Sequence, residues 1–264
     1  MLIDIGVNLT NNRFERDLPE VLSRAKDCNV EQIIVTGTSV KESQQALLLC
    51  QQEWPIELYC TAGVHPHDAD HVTDSCLDDL ATLAVHKNVV AIGEYGLDFN
   101  RNFSTPAGQE KVFTQQLQLA SDIGKPVFLH QRDAFPRWQQ LLKPFAQKIS
   151  GLVSHCFTGS YDELMATLDL GCYIGITGWV CDERRGKDLF DIVKHIPLDR
   201  LMIETDAPYL TPRTIKPKPK SSRNEPAYLP YVLKQVALAY ELPEHEIAGF
   251  ASENSRRVFG LPES

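Results

Sequence analysis

Eight short apolar runs recur along this chain, and the segment after nearly every run spaces its apolar residues as a helix does. The runs are residues 2–7, 32–37, 57–62, 89–94, 126–130, 151–155, 172–176 and 201–204. Alternating strands and helices predict a parallel sheet with right-handed crossover connections. Eight such units in 264 residues match one (β/α)8 barrel of the TIM type, an α/β fold in which residues 1–264 form a single domain.

An open, doubly wound sheet is the alternative arrangement of the same units. Its nucleotide-binding form carries a G-x-G-x-x-G motif after the first strand, whereas this chain has Gly6-Val7-Asn8 there. The barrel is therefore the expected fold.

Charge and composition favour a soluble intracellular protein over a duplex-binding, secreted or membrane protein. The net charge of −9 disfavours non-specific duplex binding through bulk charge, although a local basic channel would suffice for a nucleic-acid enzyme. Seven cysteines without a CxxC pair indicate reduced thiols, as in a cytoplasmic protein. Neither a secretory signal nor an apolar run long enough to cross a membrane is visible, and the acidic sequence without a coiled coil is compatible with a monomer.

Several runs end in side chains of the types that bind metal ions. Glu94, His130 and His155 close the fourth, fifth and sixth runs, and Asp206 follows the eighth. The carboxyl ends of barrel strands meet at one mouth, so these four side chains are expected to converge. A lone histidine at a strand end is more often structural, but four such residues at equivalent points favour a divalent-metal site. A metal there would polarise a phosphoryl oxygen and activate water.

The eighth run leads directly into Glu204-Thr205-Asp206, and Pro208 then bars regular continuation. Unpaired carboxylates are costly away from water, so a cation, a metal or a hydrogen-bond network is expected beside them. Glu204 shares its side of the strand with Asp206 but lies one layer deeper, which makes Asp206 the better functional acid. The sequence leaves open whether Asp206 ligates the metal or takes the proton of the attacking water.

A basic segment follows, because residues 211–223 contain five basic residues and no acid. Its prolines favour an extended chain that leaves the barrel mouth, where a phosphate-bearing substrate would lie. A solvated basic loop is the simpler interpretation of such a run. The candidate substrate contacts are His65, Arg101, Arg132, Arg184, Arg213, Lys216, Lys218 and Arg223. Arg185 also falls in a mouth-side loop, as do Trp179 and Phe103, which could stack bases or merely anchor their loops.

At these residues the chain resembles the TatD family of metal-dependent deoxyribonucleases. The matching blocks are Gly63-Val64-His65-Pro66-His67, Gly93-Glu94-Tyr95-Gly96-Leu97-Asp98, Leu129-His130, His155-Cys156-Phe157-Thr158-Gly159, Glu204-Thr205-Asp206-Ala207-Pro208-Tyr209-Leu210 and Asn224-Glu225-Pro226. The blocks run in order along almost the whole chain, and as a set they are highly specific.

The resemblance implies an amidohydrolase-like TIM barrel with 3′–5′ exonuclease activity on single-stranded DNA, with RNA as a further substrate. It implies Mg²⁺ as the usual cofactor, with Zn²⁺ or Mn²⁺ as alternatives, and Glu94, His130 and His155 as ligands, with Asp206 as ligand or base. It also implies roles in the repair of oxidative DNA damage and in DNA degradation.

The first strand departs from the pattern of the wider family, which begins Asp-x-His-x-His. Here Asp4 is followed by Gly6 and Asn8 at the two histidine positions. Glycine offers no ligand and an amide is a poor one, so we expect one tightly bound ion and a preference for magnesium over zinc.

Two other functions remain open from the sequence. The same barrel could hydrolyse amides or esters, for example as an aminoacyl-tRNA deacylase. It could also be a scaffold that lost its chemistry with the first-strand histidines, although the retained Glu94, His130, His155 and Asp206 argue against this.

Overall fold

In the computed structural model, which describes residues 1–263, eight parallel strands form a barrel with helices on its outside. The strands are β1 (Leu2–Val7), β2 (Val30–Val35), β3 (Glu57–Ala62), β4 (Val89–Asp98), β5 (Val127–Arg132), β6 (Leu152–Ser154), β7 (Tyr173–Ile176) and β8 (Leu201–Ile203). Each strand pairs with the next one in sequence, so the order around the sheet is the order along the chain. The predicted (β/α)8 architecture is confirmed.

The helices lie between and after the strands. They are α1 (Leu18–Asp27), α2 (Val40–Cys50), α3 (Cys76–Ala84), α4 (Pro106–Ile123), α5 (Phe135–Leu142), α6 (Tyr161–Asp169), α7 (Lys187–Ile192), α8 (Leu229–Tyr240) and α9 (Glu244–Phe259). Within residues 1–263, none of them has both the length and the apolar character that a bilayer crossing requires.

Helix α4 has the ends that its sequence predicts. The Thr105 hydroxyl accepts a hydrogen bond of 3.2 Å from the Gly108 N–H, and Pro106 occupies the first helical position. The helix stops at Gly124, whose φ of 70° lies in the left-handed region that favours glycine.

Helix α1 begins later than its apolar spacing predicts. Phe14 was expected on the buried face of the helix, but it lies in the preceding turn, where its N–H donates to the Asn11 carbonyl. The ring is nevertheless fully buried in the same core as Val21 and Leu22. Spacing therefore identified the buried residues correctly and the start of the helix incorrectly.

Strands β4 and β5 run past the residues expected to end them. Glu94 and His130 were predicted as final strand residues, but Gly96 pairs with His130 and Asp98 pairs with Arg132. This added pairing brings Asp98 to the barrel mouth. It also means that β4 and β5 are paired both before and after Glu94 and His130. Both side chains still belong to the mouth of the barrel.

Strands β1 and β8 meet at the least regular point of the barrel, which we call the seam. One isolated bridge joins Val7 to Ala207, and the Asp206 N–H donates to the Gly6 carbonyl at 2.9 Å. The carboxyl group of Asp4 adds two bonds, accepting the Thr205 N–H at 2.9 Å and the Thr205 hydroxyl at 2.6 Å. Hydrogen bonds to a side chain thus supplement the backbone pairing between β1 and β8.

The core has two parts, one inside the barrel and one between the sheet and the helices. Ile3, Ile5, Phe128 and Met202 belong to the inner cluster, and each is at most 2% exposed. Burial of a side chain of this size contributes about 1.5–3 kcal/mol. Asn254 ties the last helix to β8, because its amide donates to the carbonyl oxygen of Leu201 at 2.8 Å.

Candidate metal centre and substrate cleft

One carboxylate oxygen at the barrel mouth is surrounded by three imidazoles. Oε1 of Glu94 lies 2.8 Å from Nε2 of His155, 3.0 Å from Nδ1 of His130 and 3.4 Å from Nε2 of His65. Glu94 and His155 are each only 5% exposed. Side chains from β4, β5 and the loops after β3 and β6 therefore converge on a single point.

The side chains of the cluster shift one another's pKa values strongly. Burial by itself would raise the pKa of Glu94, but attraction from His155 and His65 holds it well below its usual range. Burial would likewise lower the pKa of His155, yet the charges of Glu94 and Glu204 raise it well above the usual value. The carboxylate is thus kept ionised by the groups around it.

The donor set fits a divalent metal ion. His65, Glu94 and His130 each present one ligand atom, and these atoms lie within 4.8 Å of one another. Nε2 of His130 is buried and has no hydrogen-bond partner among the described residues. Buried polar atoms usually have a partner, so this nitrogen is free to bind a metal ion. Imidazole nitrogens with a carboxylate are the donors that zinc, manganese and related ions take in proteins.

His65 was predicted to contact substrate, and the structure places it among the side chains that surround Oε1 of Glu94. It is the residue on which the short 3-10 helix Pro66–His71 begins, and its Nδ1 accepts the His67 N–H at 3.2 Å. That bond directs Nε2 towards Glu94. The signal was present in the sequence, since His65 follows β3 closely, just as His155 follows β6.

Asp206 stands beside this cluster rather than within it. Its backbone has a φ of 54°, in the left-handed region, and its Oδ1 accepts a 3.1 Å hydrogen bond from the Asn8 amide. Burial raises the pKa of Asp206 to about 7. The carboxyl group can therefore take up and release a proton near neutral pH.

Glu204 lies deeper than Asp206 and is fully buried. Its Oε2 faces Nδ1 of His155 at 3.2 Å, and its Oε1 accepts the Cys156 N–H at 2.6 Å. Both oxygens of this acid are thus engaged by the β6 loop, in agreement with the expectation that it lies one layer below Asp206.

Asp98, the last residue of β4, is a further acid at the mouth that was not among the predicted metal ligands. Its Oδ2 lies 2.8 Å from Nε2 of His67 and 3.7 Å from Nε2 of His130. Its Oδ1 accepts the N–H groups of Asn100 and Arg101, at 3.0 and 2.8 Å. Asp98 therefore connects the cluster to the loop that carries Arg101.

A cleft of about 890 Å³ opens above the cluster. It is lined by Glu94, His65, His130, His155 and Asp206. Of the cationic side chains predicted to contact substrate, Arg101 and Arg132 line it, and so does Arg185. The rim also carries the carboxylates of Glu42, Asp133, Glu163 and Asp188, so it is mixed in charge rather than uniformly positive.

The remaining predicted basic residues lie outside the lining of the cleft. Arg184, Lys216 and Lys218 are exposed, and Arg213 pairs with Glu183 at 3.6 Å. The basic segment thus follows the barrel mouth as expected, but none of its basic side chains lines the cleft.

Arg223 has a structural role that its charge did not predict. Its guanidinium donates to both carboxylate oxygens of Asp17, each at 2.7 Å, and to Glu225 at 2.8 Å. The side chain is 17% exposed and lies over the ring of Phe14. It anchors the end of the basic segment to the N-terminal part of the chain, a pairing over 206 residues that local sequence does not reveal.

Two aromatic side chains line the cleft. Trp179 is partly buried and has the Arg185 guanidinium 4.7 Å from its ring, while Tyr209 is 49% exposed. Their loops touch, because a Cβ on Gly178 would overlap the carbonyl oxygen of Leu210. Phe103, the other predicted stacking residue, instead meets the edge of His67 with ring centroids 4.8 Å apart.

Comparison with known sequences agrees with this geometry. The model of the TatD related DNase family matches residues 3–260. A protein of Edwardsiella piscicida named 3′-5′ ssDNA/RNA exonuclease TatD is 52% identical over 260 residues, covering 98% of this chain and all of the relative. A Salmonella typhimurium protein of the same name is 49% identical and covers 98% of each chain.

Solved structures give the same result for the fold. A TatD homologue from Escherichia coli superimposes with a TM-score of 0.89 at 28% identity, covering 99% of this chain and 98% of its own. A TatD-family hydrolase from Entamoeba histolytica has a TM-score of 0.88, also at 28% identity, and covers 98% and 97%. With matches of this extent in sequence and in structure, the chain belongs to the TatD-related DNase family.

Proposed function

We propose that this protein is a metal-dependent 3′–5′ exonuclease that hydrolyses the phosphodiester bonds of single-stranded DNA, and of RNA. The observation that carries the proposal is the convergence of His65, His130 and His155 on Oε1 of Glu94 at the floor of an open cleft. Family membership connects this centre with nucleases, and the 3′-5′ direction and the two substrates are those in the names of the curated relatives.

Glu94, His130 and His155 are the proposed metal ligands, with His65 beside them and Asp206 next to the open side. A divalent ion held there would polarise a phosphoryl oxygen and make a water molecule easier to deprotonate. Asp206 is the proposed acceptor of the attacking water's proton, because it borders the cluster and accepts one side-chain hydrogen bond, from Asn8.

Magnesium is the proposed working ion, with Mn²⁺ and Zn²⁺ as substitutes, and one ion is proposed to be held tightly. The first strand supports the count of one, because Gly6 has no side chain and the Asn8 amide is already bonded to Asp206. Without first-strand histidines the centre lacks two nitrogen donors of the kind that zinc prefers, while the three imidazoles around Glu94 still suit Zn²⁺ and Mn²⁺ as substitutes.

Single-stranded substrate fits the shape and charge of the cleft. Arg101 and Arg132 can meet phosphates, whereas Trp179 and Tyr209 offer rings on which unpaired bases can stack. Bases inside a duplex are not free to make such contacts. The proposal extends to action as a monomer in the cytoplasm, and to the repair and DNA-degradation roles that the family resemblance implies.

One assay separates this function from its competitors. End-labelled single-stranded DNA is incubated with the protein and Mg²⁺, with a chelator and Glu94→Ala as controls. We expect stepwise shortening from the 3′ end that both controls abolish. Turnover of esters or aminoacyl-RNA without action on DNA would instead indicate an amide or ester hydrolase. Inactivity on every substrate would indicate a non-catalytic scaffold.

A further inference from the structure

We propose that Glu204 is a positioning residue: it fills the space that a first-strand side chain would need at position 6, and from there it orients His155 for metal binding. The inference rests on the metal centre proposed above, but it does not depend on the substrate. It concerns an acid that touches neither the cleft nor the proposed reacting atoms.

The carboxylate of Glu204 is held between two glycines on different strands. A Cβ on Gly6 of β1 would overlap its Oε2, and a Cβ on Gly175 of β7 would come within 2.5 Å of its Oε1. Any other residue at either position would have to displace this side chain. The two glycines therefore make the room that the carboxylate occupies.

The carboxylate cannot move aside without losing a partner. Oε1 accepts the Cys156 N–H at 2.6 Å, and Oε2 is 3.2 Å from Nδ1 of His155. Cys156 has a φ of 46°, an unfavourable conformation for a residue with a Cβ, so its peptide needs such an anchor. Glu204 thus fixes both the ring of His155 and the backbone that follows it.

This contact sets which nitrogen of His155 faces the metal centre. With Nδ1–H donating to Glu204, the opposite nitrogen, Nε2, points at Glu94 from 2.8 Å. Carboxylates that accept from the outer nitrogen of a metal-binding histidine fix its tautomer and orientation, and their loss costs about 10–100-fold in metal affinity or activity. Position 6 is meanwhile filled by Glu204, so the first strand contributes no ligand there.

Glu204→Gln tests the proposal because it keeps the size of the side chain. Its amide oxygen can still accept the Cys156 N–H, but its NH2 group then meets Nδ1 of His155, which forces the ring proton onto Nε2. We expect Mn²⁺ affinity, measured by equilibrium dialysis, to fall about 10–100-fold. In the Mg²⁺-loaded wild type, long-range ¹H–¹⁵N NMR should show His155 as the Nδ1–H tautomer, and Glu204→Gln should lose that form.

The matched control is Glu225→Gln, a buried acid of the same loop that pairs with Arg24 and Arg223. It should lower thermal stability and leave Mn²⁺ affinity unchanged. Unchanged affinity in Glu204→Gln, or an unchanged His155 tautomer, would overturn the proposal. Neither readout uses nucleic acid, so a protein that passes both tests and cleaves nothing would overturn the proposed function alone.

Gly6→Ala gives a second test that keeps the Glu204 side chain and displaces it, with the added Cβ also 3.0 Å from Cζ of Phe128. We expect Mn²⁺ affinity to fall as it does in Glu204→Gln, and to fall no further when Gly6→Ala is added to Glu204→Ala. Independent, multiplicative losses in the double variant would show that the two residues do not act through one contact, and would count against the proposal.

Discussion

The side-chain amide of Asn8 donates a hydrogen bond of 3.1 Å to Oδ1 of Asp206, across the seam between the first and last strands. Asn8 stands at the second histidine position of the Asp-x-His-x-His pattern with which the first strand was compared. In this chain the first strand therefore donates a side-chain hydrogen bond to the acid that follows the eighth strand.

Replacing Asn8 by alanine should free Asp206 and slow catalysis. A hydrogen bond to a charged group contributes about 1.5–3 kcal/mol, so we expect kcat to fall about 10–150-fold with little change in KM. Steady-state kinetics on single-stranded DNA measure this, with Asn12→Ala as the control, because Asn12 is exposed in the same loop. A rise in KM at constant kcat would show that Asn8 binds substrate and does not position Asp206.

Glu94→Gln should abolish metal binding. Saturation with Mn²⁺ at a hundred times its Kd stabilises a folded protein by about 2.7 kcal/mol, and we expect this gain in the wild type but not in the variant. Dialysis should find one ion per wild-type chain before substrate is added. Glu42→Gln, a carboxylate of the cleft that lies outside the cluster, is the control. Two tightly held ions would contradict the single-ion centre.

Asp4 should make stability fall as pH rises. Burial raises its pKa to about 8, even though hydrogen bonds from Thr205 act in the opposite direction. The folded state then keeps a proton that the unfolded chain releases near pH 4, so this stability is present below pH 4 and is lost as pH approaches 8. The Asp4→Asn variant, which is neutral throughout, should lose less stability over this range.

Urea unfolding at pH 5, 7 and 9 provides the measurement for Asp4. Each pKa unit corresponds to about 1.4 kcal/mol. Between pH 5 and pH 9 the wild type should therefore lose a few kcal/mol more unfolding free energy than Asp4→Asn does. Asp27→Asn, at the exposed end of α1, is the control and should follow the wild type. Parallel pH profiles for the wild type and Asp4→Asn would refute the prediction.

Arg101 and Arg132 should account for phosphate contacts that the exposed basic segment does not make. In a Glu94→Gln background, which does not cleave, Arg101→Ala or Arg132→Ala should weaken binding to single-stranded DNA. Each substitution should also reduce the slope of log K against log salt by about 0.7. Lys216 is exposed and lies outside the cleft lining, so the control variant Lys216→Ala should leave the slope unchanged. An equal effect of Lys216→Ala would restore the basic segment as a binding surface.

Trp179 should contribute to binding through stacking. Removing a stacking platform costs about 1–3 kcal/mol per base, so Trp179→Ala should raise KM about 5–150-fold at nearly constant kcat. Trp179→Phe retains a ring and should keep most of the affinity. If the phenylalanine variant behaved like the alanine variant, the indole would serve loop structure and not base contact.

The fold and the chemical types at its mouth could be predicted because they depend on local patterns. Apolar runs separated by helical segments defined eight strands, and Glu94, His130 and His155 fell at the ends of those runs. The exact strand ends could not be predicted, because the added pairing of Gly96–Asp98 with β5 depends on a neighbouring strand.

Contacts between residues far apart in the sequence were the features of the site that could not be predicted. Arg223 was expected at the substrate, yet Asp17 and Glu225 engage its guanidinium. Glu204 was recognised as a deep acid, but its contact with His155 depends on the room left by Gly6 and Gly175, which no local pattern encodes. Charge in the sequence shows that a partner is needed, and only the fold determines which partner is near.

The seam also bears on when the protein becomes active during its synthesis. A ribosome-bound chain that has reached residue 200 already carries Glu94 and every imidazole of the cluster. It still lacks Thr205 and Asp206, so the barrel is open and the proposed proton acceptor is missing. A nuclease built in this order would complete its active site only after β8 has been translated, so its unfinished chains would lack the acid that completes the site.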